Sequence, residues 1–286
     1  MKIEKFKIEE SSSFKLKDIK TDDTDGLDSK KDAKEALEQN ILKMAELQAR
    51  LYAQDKYSML IIFQAMDTAG KDGGIKHVMS GLNPQATQVT SFKQPSKEEL
   101  DHDYLWRANK HLPERGRIGI FNRSYYEEVL VVKVHDLLKY QQLPASLIKD
   151  NVWEKRFRQI RDYEKYLTEN GTVILKFFLH ISKEEQKQRL LERIDDPSKN
   201  WKFSSADIEE RKFWDDYQKC YQEAIRETST DGAPWYVIPS DKKWFARLAI
   251  SEVIVKTMEN LKLEYPVISD EQKKELEKCK KSLMNE

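Results

Sequence analysis

Short runs of apolar and β-branched residues recur along the chain and are separated by longer stretches rich in charge. Continuous apolarity of this kind is typical of strands that are buried on both faces, as in a parallel sheet. The pattern predicts five such strands, at Tyr57 to Phe63, Ala86 to Phe92, Arg117 to Phe121, Thr172 to Ile181 and Trp235 to Ile238.

The stretches between these runs have the hydrophobic spacing of helices. Predicted helices lie at Lys71 to Leu82, Lys97 to His111, Tyr125 to Leu138, Leu147 to Asn170 and Lys183 to Ile194. A long charged helix from about Ser29 to Gln54 precedes the first strand, and Ser204 to Thr228 and Lys243 to Lys262 follow as later helices. Alternating strands and helices predict an α/β fold, a three-layer sandwich with helices on both faces of a parallel sheet.

Both ends of the chain are polar. We predict one domain over residues 27–262, a polar tail over residues 1–26 and a second tail over residues 263–286. Tails of this composition are partly disordered or pack on a neighbouring subunit, and the sequence does not choose between those outcomes.

The composition excludes several classes of protein. Of 286 residues 35% are charged, but Lys+Arg and Asp+Glu balance at 50 each, so no global field favours nucleic acid or a membrane as a partner. The N-terminus MKIEKFKIEE lacks the apolar stretch of a signal peptide, and no run approaches the ~18 apolar residues of a membrane span. Cys220 and Cys279 have no metal-ligand spacing, so we expect a reduced, cytoplasmic protein.

A glycine-rich segment, Ala65-Met-Asp-Thr-Ala-Gly-Lys-Asp-Gly-Gly74, lies between the first predicted strand and a predicted helix. This is the context of a phosphate-binding loop, whose backbone N–H groups bind phosphate oxygens while a lysine, here Lys71, adds positive charge. The plainer alternative is a glycine-rich turn with an exposed lysine. The residues expected to contact phosphate are Ala69, Gly70, Lys71, Asp72, Gly73 and Lys76.

The segment departs from the usual phosphate-loop pattern at two positions. Ala65 replaces the first glycine, and Asp72 replaces the Ser or Thr whose hydroxyl normally binds Mg²⁺. Asp67 is our candidate metal ligand, because a carboxylate among phosphates is repelled unless a cation lies between them. The alternative role of Asp67 is to cap the turn or the helix N-terminus.

Four long motifs resemble the polyphosphate kinase 2 family. They are QAMDTAGKDGGIKHVMSGLNPQ from Gln64, SFKQPSKEELDHDYLWR from Ser91, IFNRSYYEEVLVVKVH from Ile120 and SKEEQKQRLLERIDDPSKNWKFS from Ser182. The resemblance extends over Leu27 to Leu261. It implies a P-loop kinase of the thymidylate-kinase-like type with a helical lid, at about residues 182–214, and reversible transfer of phosphoryl groups between inorganic polyphosphate and nucleotides. It further implies dependence on Mg²⁺, with Mn²⁺ as a substitute, and assembly as homodimers or homotetramers.

The third motif supplies the catalytic arginine that the resemblance implies, Arg123, whose planar fork can span two phosphate oxygens. Asn122 stands where many relatives have an Asp, so a metal contact there would be weaker, and Glu127 is a candidate for the missing charge. An Asn followed by a downstream Glu resembles class III members, which accept nucleoside monophosphates and diphosphates. The alternatives are a structural ion pair for Arg123 and helix-dipole complementation for Glu127.

The second motif resembles the family's acceptor region. His102, Trp106 and Arg107 are predicted to lie near an adenine nucleotide, or as an alternative a guanine nucleotide, with Trp106 stacking on the base. An aromatic side chain in such a helix is equally well explained as core. His77, His111, His135 and His180 form no metal-ligand spacing, and we interpret them as structural or surface residues.

The fourth motif contains basic residues that we assign to the lid and to polyphosphate binding. Arg189 and Arg193 are four residues apart and so share a helix face, and Pro197 ends that helix before Lys199 and Lys202. The alternative is that these cations form surface pairs with Glu185, Glu192 or other carboxylates.

Two other functions use the same architecture. An ATP-dependent nucleoside or nucleotide kinase is the first, although the missing Ser or Thr at position 72 argues against it. A catalytically silent polyphosphate- or nucleotide-binding scaffold is the second, and Asn122 would permit it. Retention of Asp67, Lys71 and Arg123 together argues against the scaffold.

Overall fold

The apolar runs form one six-stranded sheet in a computed structural model that describes residues 1–10 and 13–286, without the side chain of Lys202. The strand order is β1-β6-β5-β2-β4-β3. The strands are β1 (Lys7–Ile8), β2 (Ser58–Ala65), β3 (Thr87–Ser91), β4 (Ile118–Asn122), β5 (Thr172–His180) and β6 (Trp235–Pro239). All neighbouring pairs are parallel except β1 with β6, so the predicted parallel sheet is confirmed.

Helices cover both faces of this sheet. On one face α10 packs against α1 and α2, and on the other α6 packs against β5 and α9. The helices are α1 (Lys30–Gln54), α2 (Lys71–Val78), α3 (Lys97–Leu100), α4 (Trp106–Asn109), α5 (Val131–Val134), α6 (Val152–Glu169), α7 (Lys183–Asp195), α8 (Ser205–Glu210), α9 (Trp214–Thr228), α10 (Lys243–Asn260) and α11 (Asp270–Met284). The carboxyl ends of β2, β4, β5 and β6 meet at one edge of the sheet, where ligands of such folds bind.

Two of the predicted helices are interrupted by turns. The helix predicted from Lys97 to His111 is broken into α3 and α4, because the Asp103 side chain accepts the Leu105 N–H at 2.9 Å in a local turn. The stretch from Tyr125 to Leu138 is a 3₁₀ turn followed by α5, and Asp136 is in the left-handed conformation at φ 50°. Periodicity alone did not reveal these breaks.

The N-terminal segment is not a loose polar tail, contrary to the expectation for residues 1–26. β1 pairs antiparallel with β6, and Ile3, Phe6, Ile8 and Leu16 are buried in the core. Each of these apolar residues stands alone among charged neighbours, so the averaged composition of the segment concealed them. Burial of single large apolar side chains stabilises the docked segment.

The C-terminal segment forms α11, which Ser269 and Gln272 cap reciprocally in a capping box. All residues of α11 are exposed, and they include the apolar Leu276, Leu283 and Met284. No helix within residues 1–10 and 13–286 combines the length and the apolarity that crossing a membrane would need.

His180, at the end of β5, is buried beneath the N-terminal segment. Its Nδ1 atom has no hydrogen-bond partner among the described residues, and burial lowers its pKa to about 4 although Asp241 and the backbone near Ile19 oppose the shift. The folded protein therefore favours the neutral imidazole, whereas the unfolded chain takes up a proton near pH 6.5.

We predict that this histidine makes the fold sensitive to acid. Its contribution is fully present above pH 6.5 and is lost as pH falls toward 4, by up to about 3 kcal/mol. Urea unfolding of wild type and His180→Gln at pH 7.0, 5.5 and 4.5 should show a shallower loss of unfolding free energy in the variant. Parallel curves for the two proteins would contradict this role.

Candidate active site

The loop between β2 and α2 has the geometry of a phosphate-binding loop. Gly70 caps α2 with φ 111°, a left-handed conformation that glycine adopts without strain, and Thr68 is also left-handed at φ 63°. The Lys71 side chain folds back over the loop, and Nζ donates to the Ala65 carbonyl oxygen at 2.9 Å. The loop therefore surrounds the helix N-terminus, where backbone N–H groups are available to anions.

The Lys71 ammonium has both cationic and anionic side chains as neighbours. Burial and the neighbouring Arg123 lower its pKa, while the Asp67, Glu127 and Asp72 carboxylates oppose that shift. A phosphate bound beside Nζ would add negative charge and favour the protonated form.

Arg123 follows β4 and faces the loop. Its φ of 64° turns the side chain out of the strand direction, and its N–H donates to the Phe63 carbonyl oxygen at 3.0 Å. Nη2 is 3.2 Å from Asp67 Oδ1, and Nη1 is 3.4 Å from Glu127 Oε2. Glu127 and, to a lesser degree, Asp67 raise the pKa of Arg123 above its usual range. Two carboxylates thus hold a permanently charged guanidinium between them.

Asn122 and Asp72 are in direct contact. Asn122 Nδ2 donates to Asp72 Oδ1 at 2.8 Å, so the two positions that depart from the usual pattern are partners. An Asp at position 122 would place two carboxylates together, which is unfavourable unless a cation lies between them.

A cavity of about 590 Å³ lies over the loop. Asp67, Ala69, Gly70, Lys71, Asp72 and Gly73, all of them predicted site residues, line it together. Its other walls are strongly basic and include Arg193, Lys199, Lys243 and Arg247. We call this space the basic cavity.

Lys243 and Arg247 were missed by the sequence analysis. They lie one turn apart at the start of α10, which follows β6 and begins at the same sheet edge as the loop. Burial lowers the pKa of each group. The signal was present in the sequence: two cations at four-residue spacing open an otherwise apolar helix.

A second cavity, of about 720 Å³, lies beside the first. The predicted residues His102, Arg107 and Glu127 line it. Its walls also include a buried ion pair between Arg156 Nε and Glu128 Oε1 at 2.9 Å, and Gln141 donates to the other carboxylate oxygen at 2.7 Å. We call this space the mixed cavity because polar, charged and apolar groups alternate along its walls.

The two cavities meet at Arg123. This residue lines both of them, together with Phe92 and Lys93. Arg107 stabilises the shared wall, because Nη1 donates to the Lys93 carbonyl oxygen at 2.8 Å and the guanidinium lies 5.2 Å from the centre of the Phe92 ring.

Trp106 does not line the mixed cavity, so this geometry does not support its predicted stacking on a base. His102 stacks on the indole at 3.9 Å between ring centres, and Lys110 Nζ lies 4.2 Å from the ring centre. Both contacts occupy the surface of the indole, so within the described chain it is His102 that reaches the cavity.

Two predicted phosphate contacts need correction. Lys76 is on the exposed side of α2 and outside the lining of the basic cavity, whereas His77, interpreted as a structural or surface residue, lines it. Arg189 lines the cavity but is buried, and all five of its N–H donors go to protein acceptors. No donor of Arg189 remains for a phosphate oxygen.

The other basic residues of the fourth motif are placed as follows. Arg193 Nη1 is 3.4 Å from Asp207 Oδ2, and Lys199 Nζ is 2.6 Å from Asp196 Oδ2, so both carry the carboxylate pairs that were the alternative interpretation. Both also line the basic cavity. The side chain of Lys202 lies outside the described residues.

The carboxylates of the basic cavity fit a divalent cation that is also held by substrate. The described residues contain no group of three or more His, Cys, Asp or Glu side chains arranged as a complete metal site. Mg²⁺ in phosphoryl-transfer enzymes typically takes one or two carboxylates together with phosphate oxygens and water. Asp67 and Asp72 both line the cavity and suit that arrangement.

Comparison with known proteins agrees with this geometry. The family model of polyphosphate kinase 2 matches residues 27–266. An ADP-polyphosphate phosphotransferase of Rhodopseudomonas palustris is 49% identical over 99% of each chain. An AMP/ADP-polyphosphate phosphotransferase of Meiothermus ruber is 46% identical over 92% of this chain and 96% of its own. The crystal structure of polyphosphate kinase 2 from Arthrobacter aurescens superimposes with a TM-score of 0.86 at 41% identity and covers 96% of this chain and 95% of its own. This chain therefore belongs to the polyphosphate kinase 2 family.

Proposed function

We propose that the chain transfers phosphoryl groups reversibly between inorganic polyphosphate and adenine nucleotides, and that it accepts both AMP and ADP. The chain catalyses polyphosphate-dependent phosphoryl transfer to nucleotides. The observation that supports this assignment best is that Arg123 lines both cavities, so a donor in one and an acceptor in the other would meet at its guanidinium.

The basic cavity is assigned to polyphosphate. Lys71, Lys199, Lys243 and Arg247 present positive charge along its walls, and a polyanion is attracted by such a surface even though the whole chain is neutral. Within the predicted lid, residues 182–214, we propose that the part after Arg189, which carries Arg193 and Lys199, closes on this donor.

The mixed cavity is assigned to the nucleotide. His102 and Arg107 line its wall, with Arg107 placed to face a phosphate and His102 a base. Adenine nucleotides are the proposed substrates, with guanine nucleotides as the alternative. The relative from Meiothermus ruber carries both AMP and ADP in its name.

Phosphoryl transfer in this family uses a divalent metal ion. We assign Mg²⁺, with Mn²⁺ as a substitute, to Asp67 and Asp72, with Asn122 and Glu127 as further candidate ligands. When bound, the ion neutralises charge on the oxygens of the transferred group.

The side chains need only bind and orient the substrates, because phosphoryl transfer requires no protein nucleophile. Asp67 and Glu127 hold Arg123 in place before substrate arrives, and the guanidinium then contacts phosphate oxygens that gain charge in the transition state. A phosphoanhydride is formed as another is broken, so the concentrations of substrates set the direction.

The test is an assay without nucleoside triphosphate. Polyphosphate, ADP and Mg²⁺ are expected to give ATP, and AMP in place of ADP is expected to give ADP, both measured by nucleotide chromatography. Turnover only with ATP as donor would instead identify an ordinary nucleotide kinase. Substrate binding without any turnover would identify a silent scaffold.

A second prediction concerns acceptor choice at Asn122. Asn122→Asp replaces the hydrogen bond to Asp72 by a second carboxylate, which adds negative charge beside Arg123, where the acceptor phosphates are proposed to meet the donor. We expect the ratio of kcat/KM for ADP to that for AMP to fall by about tenfold, equivalent to ~1.4 kcal/mol. Unchanged ratios, measured at saturating polyphosphate and Mg²⁺, would contradict the assignment.

We also propose a homodimer or a homotetramer. The exposed apolar residues near the C-terminus, including Tyr265, Val267, Leu276 and Leu283, support an association surface there. Light scattering of the full chain and of Leu276→Lys would test it, since the substitution should lower the molar mass.

A further inference from the structure

We infer that α7 fixes the phosphate-binding loop in its binding conformation, and that Gln186 and Arg189 are positioning residues for phosphoryl transfer rather than contacts of polyphosphate. This inference rests on the proposed role of the loop. It replaces the idea that Arg189 belongs to a mobile lid.

Three consecutive carbonyl groups of the loop accept hydrogen bonds from α7. Gln186 Nε2 donates to the Asp67 oxygen at 3.0 Å, and Arg189 Nη1 donates to the Thr68 and Ala69 oxygens at 3.0 Å each. The C=O and N–H groups of one peptide plane point in opposite directions. When a carbonyl faces α7, the N–H group of the same peptide plane therefore points away from α7. Successive N–H groups that point away in this manner can bind a phosphate.

Of these three amides, those of Thr68 and Gly70 are relevant to anion binding. The N–H of Ala69 donates to the Met66 oxygen at 3.3 Å and is already used within the loop. The peptide planes that end at Thr68 and Gly70 carry the carbonyls of Asp67 and Ala69, so their N–H groups face away from α7. Those two groups add to the amides at the N-terminus of α2.

Arg189 donates hydrogen bonds to protein acceptors from all three of its side-chain nitrogen atoms. Besides the two loop carbonyls, Nε donates to Glu185 Oε1 at 2.8 Å, and Nη2 donates to the Ser240 and Asp241 oxygens at 2.6 and 3.0 Å. The loop after β2 is thereby tied to the end of β6 through one planar group. Only 4% of Arg189 is exposed.

Gln186 has a fixed orientation. Its Oε1 accepts from Arg211 Nη1 at 2.6 Å, and Arg211 also donates to the Lys183 oxygen at 3.1 Å. An amide whose oxygen is held by a cation must present its NH₂ group to the other side, where the Asp67 carbonyl lies. Arg211 is thus an outer brace for the same contact.

The loop needs such support at Thr68. A β-branched residue is rarely left-handed, and the Thr68 hydroxyl is buried with no partner within the described part of the chain. The carbonyls on both sides of this residue and its own carbonyl are the three that α7 holds. The strained conformation therefore persists because the α7 contacts determine it.

The experiment compares Gln186→Met, a neutral and nearly isosteric change, with Lys187→Met, an exposed neighbour on α7 that pairs with Glu184 on the helix surface. We expect Gln186→Met to lower kcat by about tenfold and to raise the Kd for tripolyphosphate, measured calorimetrically without nucleotide, by a similar factor. Hydrogen exchange of the peptide over residues 65–74 should become faster. Lys187→Met should behave as wild type in all three measurements.

Salt dependence separates positioning from charge contact. Gln186→Met removes no charge, so the slope of polyphosphate KM against ionic strength should stay as in wild type. If Gln186→Met fails to fold, Arg211→Ala replaces it as the test variant. Arg211 is half-buried and lies outside the cavity, and its substitution should change kcat, Kd and hydrogen exchange in the same direction by smaller amounts.

Wild-type kcat, Kd and exchange in both variants would overturn the inference. A different variant, Lys71→Ala, tests the proposed site itself. Loss of activity in Lys71→Ala together with wild-type behaviour of Gln186→Met would reject only the role of α7, whereas wild-type activity of Lys71→Ala would reject the site itself.

Discussion

Lys71→Ala and Asp67→Ala are each expected to lower kcat by at least ~10²-fold. Lys71 Nζ lies over the loop and is proposed to supply positive charge to the transferred group, and Asp67 both holds Arg123 and is the proposed metal ligand. Each substitution removes an interaction that strengthens as charge develops in the transition state. Steady-state kinetics with polyphosphate and ADP, at saturating Mg²⁺, provide the measurement.

The matched control is Lys76→Ala. Lys76 lies on the same helix as Lys71 but is exposed and outside the basic cavity, so its removal should leave kcat near wild type. All three variants should keep the circular dichroism and melting temperature of wild type. A folded Lys71→Ala enzyme with wild-type activity would show that the loop is not the site.

The sheet and the loop could be predicted because their signals are local. A strand buried on both faces is mostly apolar, and β2 is buried along its whole length from Ser58 to Ala65. The glycines and Lys71 are contiguous and follow that strand directly. Asp67, Lys71 and Arg123 come together because the carboxyl ends of neighbouring parallel strands share one edge.

The roles of single side chains were harder to predict, because they depend on distant backbone atoms. The spacing of Arg189 and Arg193 correctly places both on one face of α7. It does not reveal that loop carbonyls occupy Arg189 while Arg193 remains at the cavity wall. Trp106 shows the same limit, since its neighbour in space, His102, decides which ring reaches the cavity.

A buried ionic cluster was also absent from the sequence analysis. Lys176 stands in the middle of apolar β5 and is fully buried. Nζ donates to Glu164 Oε2 at 2.5 Å, to the Thr228 carbonyl oxygen at 2.7 Å and to the Tyr126 hydroxyl at 3.0 Å. The hydroxyls of Tyr125 and Tyr126 donate to Glu164 Oε1 at 2.8 Å each. A lysine inside an apolar run is the signal that could have identified it.

The cluster supports the segment that carries Arg123, because Tyr125 and Tyr126 follow Arg123 in the chain and both donate hydrogen bonds to Glu164. Every N–H of the Lys176 ammonium has an acceptor, and burial lowers the pKa of Lys176 while Glu164 opposes that shift. A fully satisfied buried pair is close to neutral in its net contribution to stability, but removal of one partner leaves a charge without compensation.

Lys176→Met is therefore expected to destabilise the fold by about 3–5 kcal/mol and to lower the melting temperature by roughly 10 °C, since it leaves the Glu164 carboxylate buried and unpaired. The double variant Lys176→Met with Glu164→Gln removes both charges and keeps an oxygen that can accept from Tyr125 and Tyr126, so it should regain much of that loss.

Lys165→Met is the matched control on α6, because Lys165 forms an exposed pair with Glu169, and its removal should change stability by less than ~1 kcal/mol. Urea unfolding of the four proteins at pH 7 makes the comparison. Equal stability of Lys176→Met and wild type would mean that Glu164 is not charged in the folded protein, and no recovery in the double variant would mean that Lys176 acts through packing instead of charge.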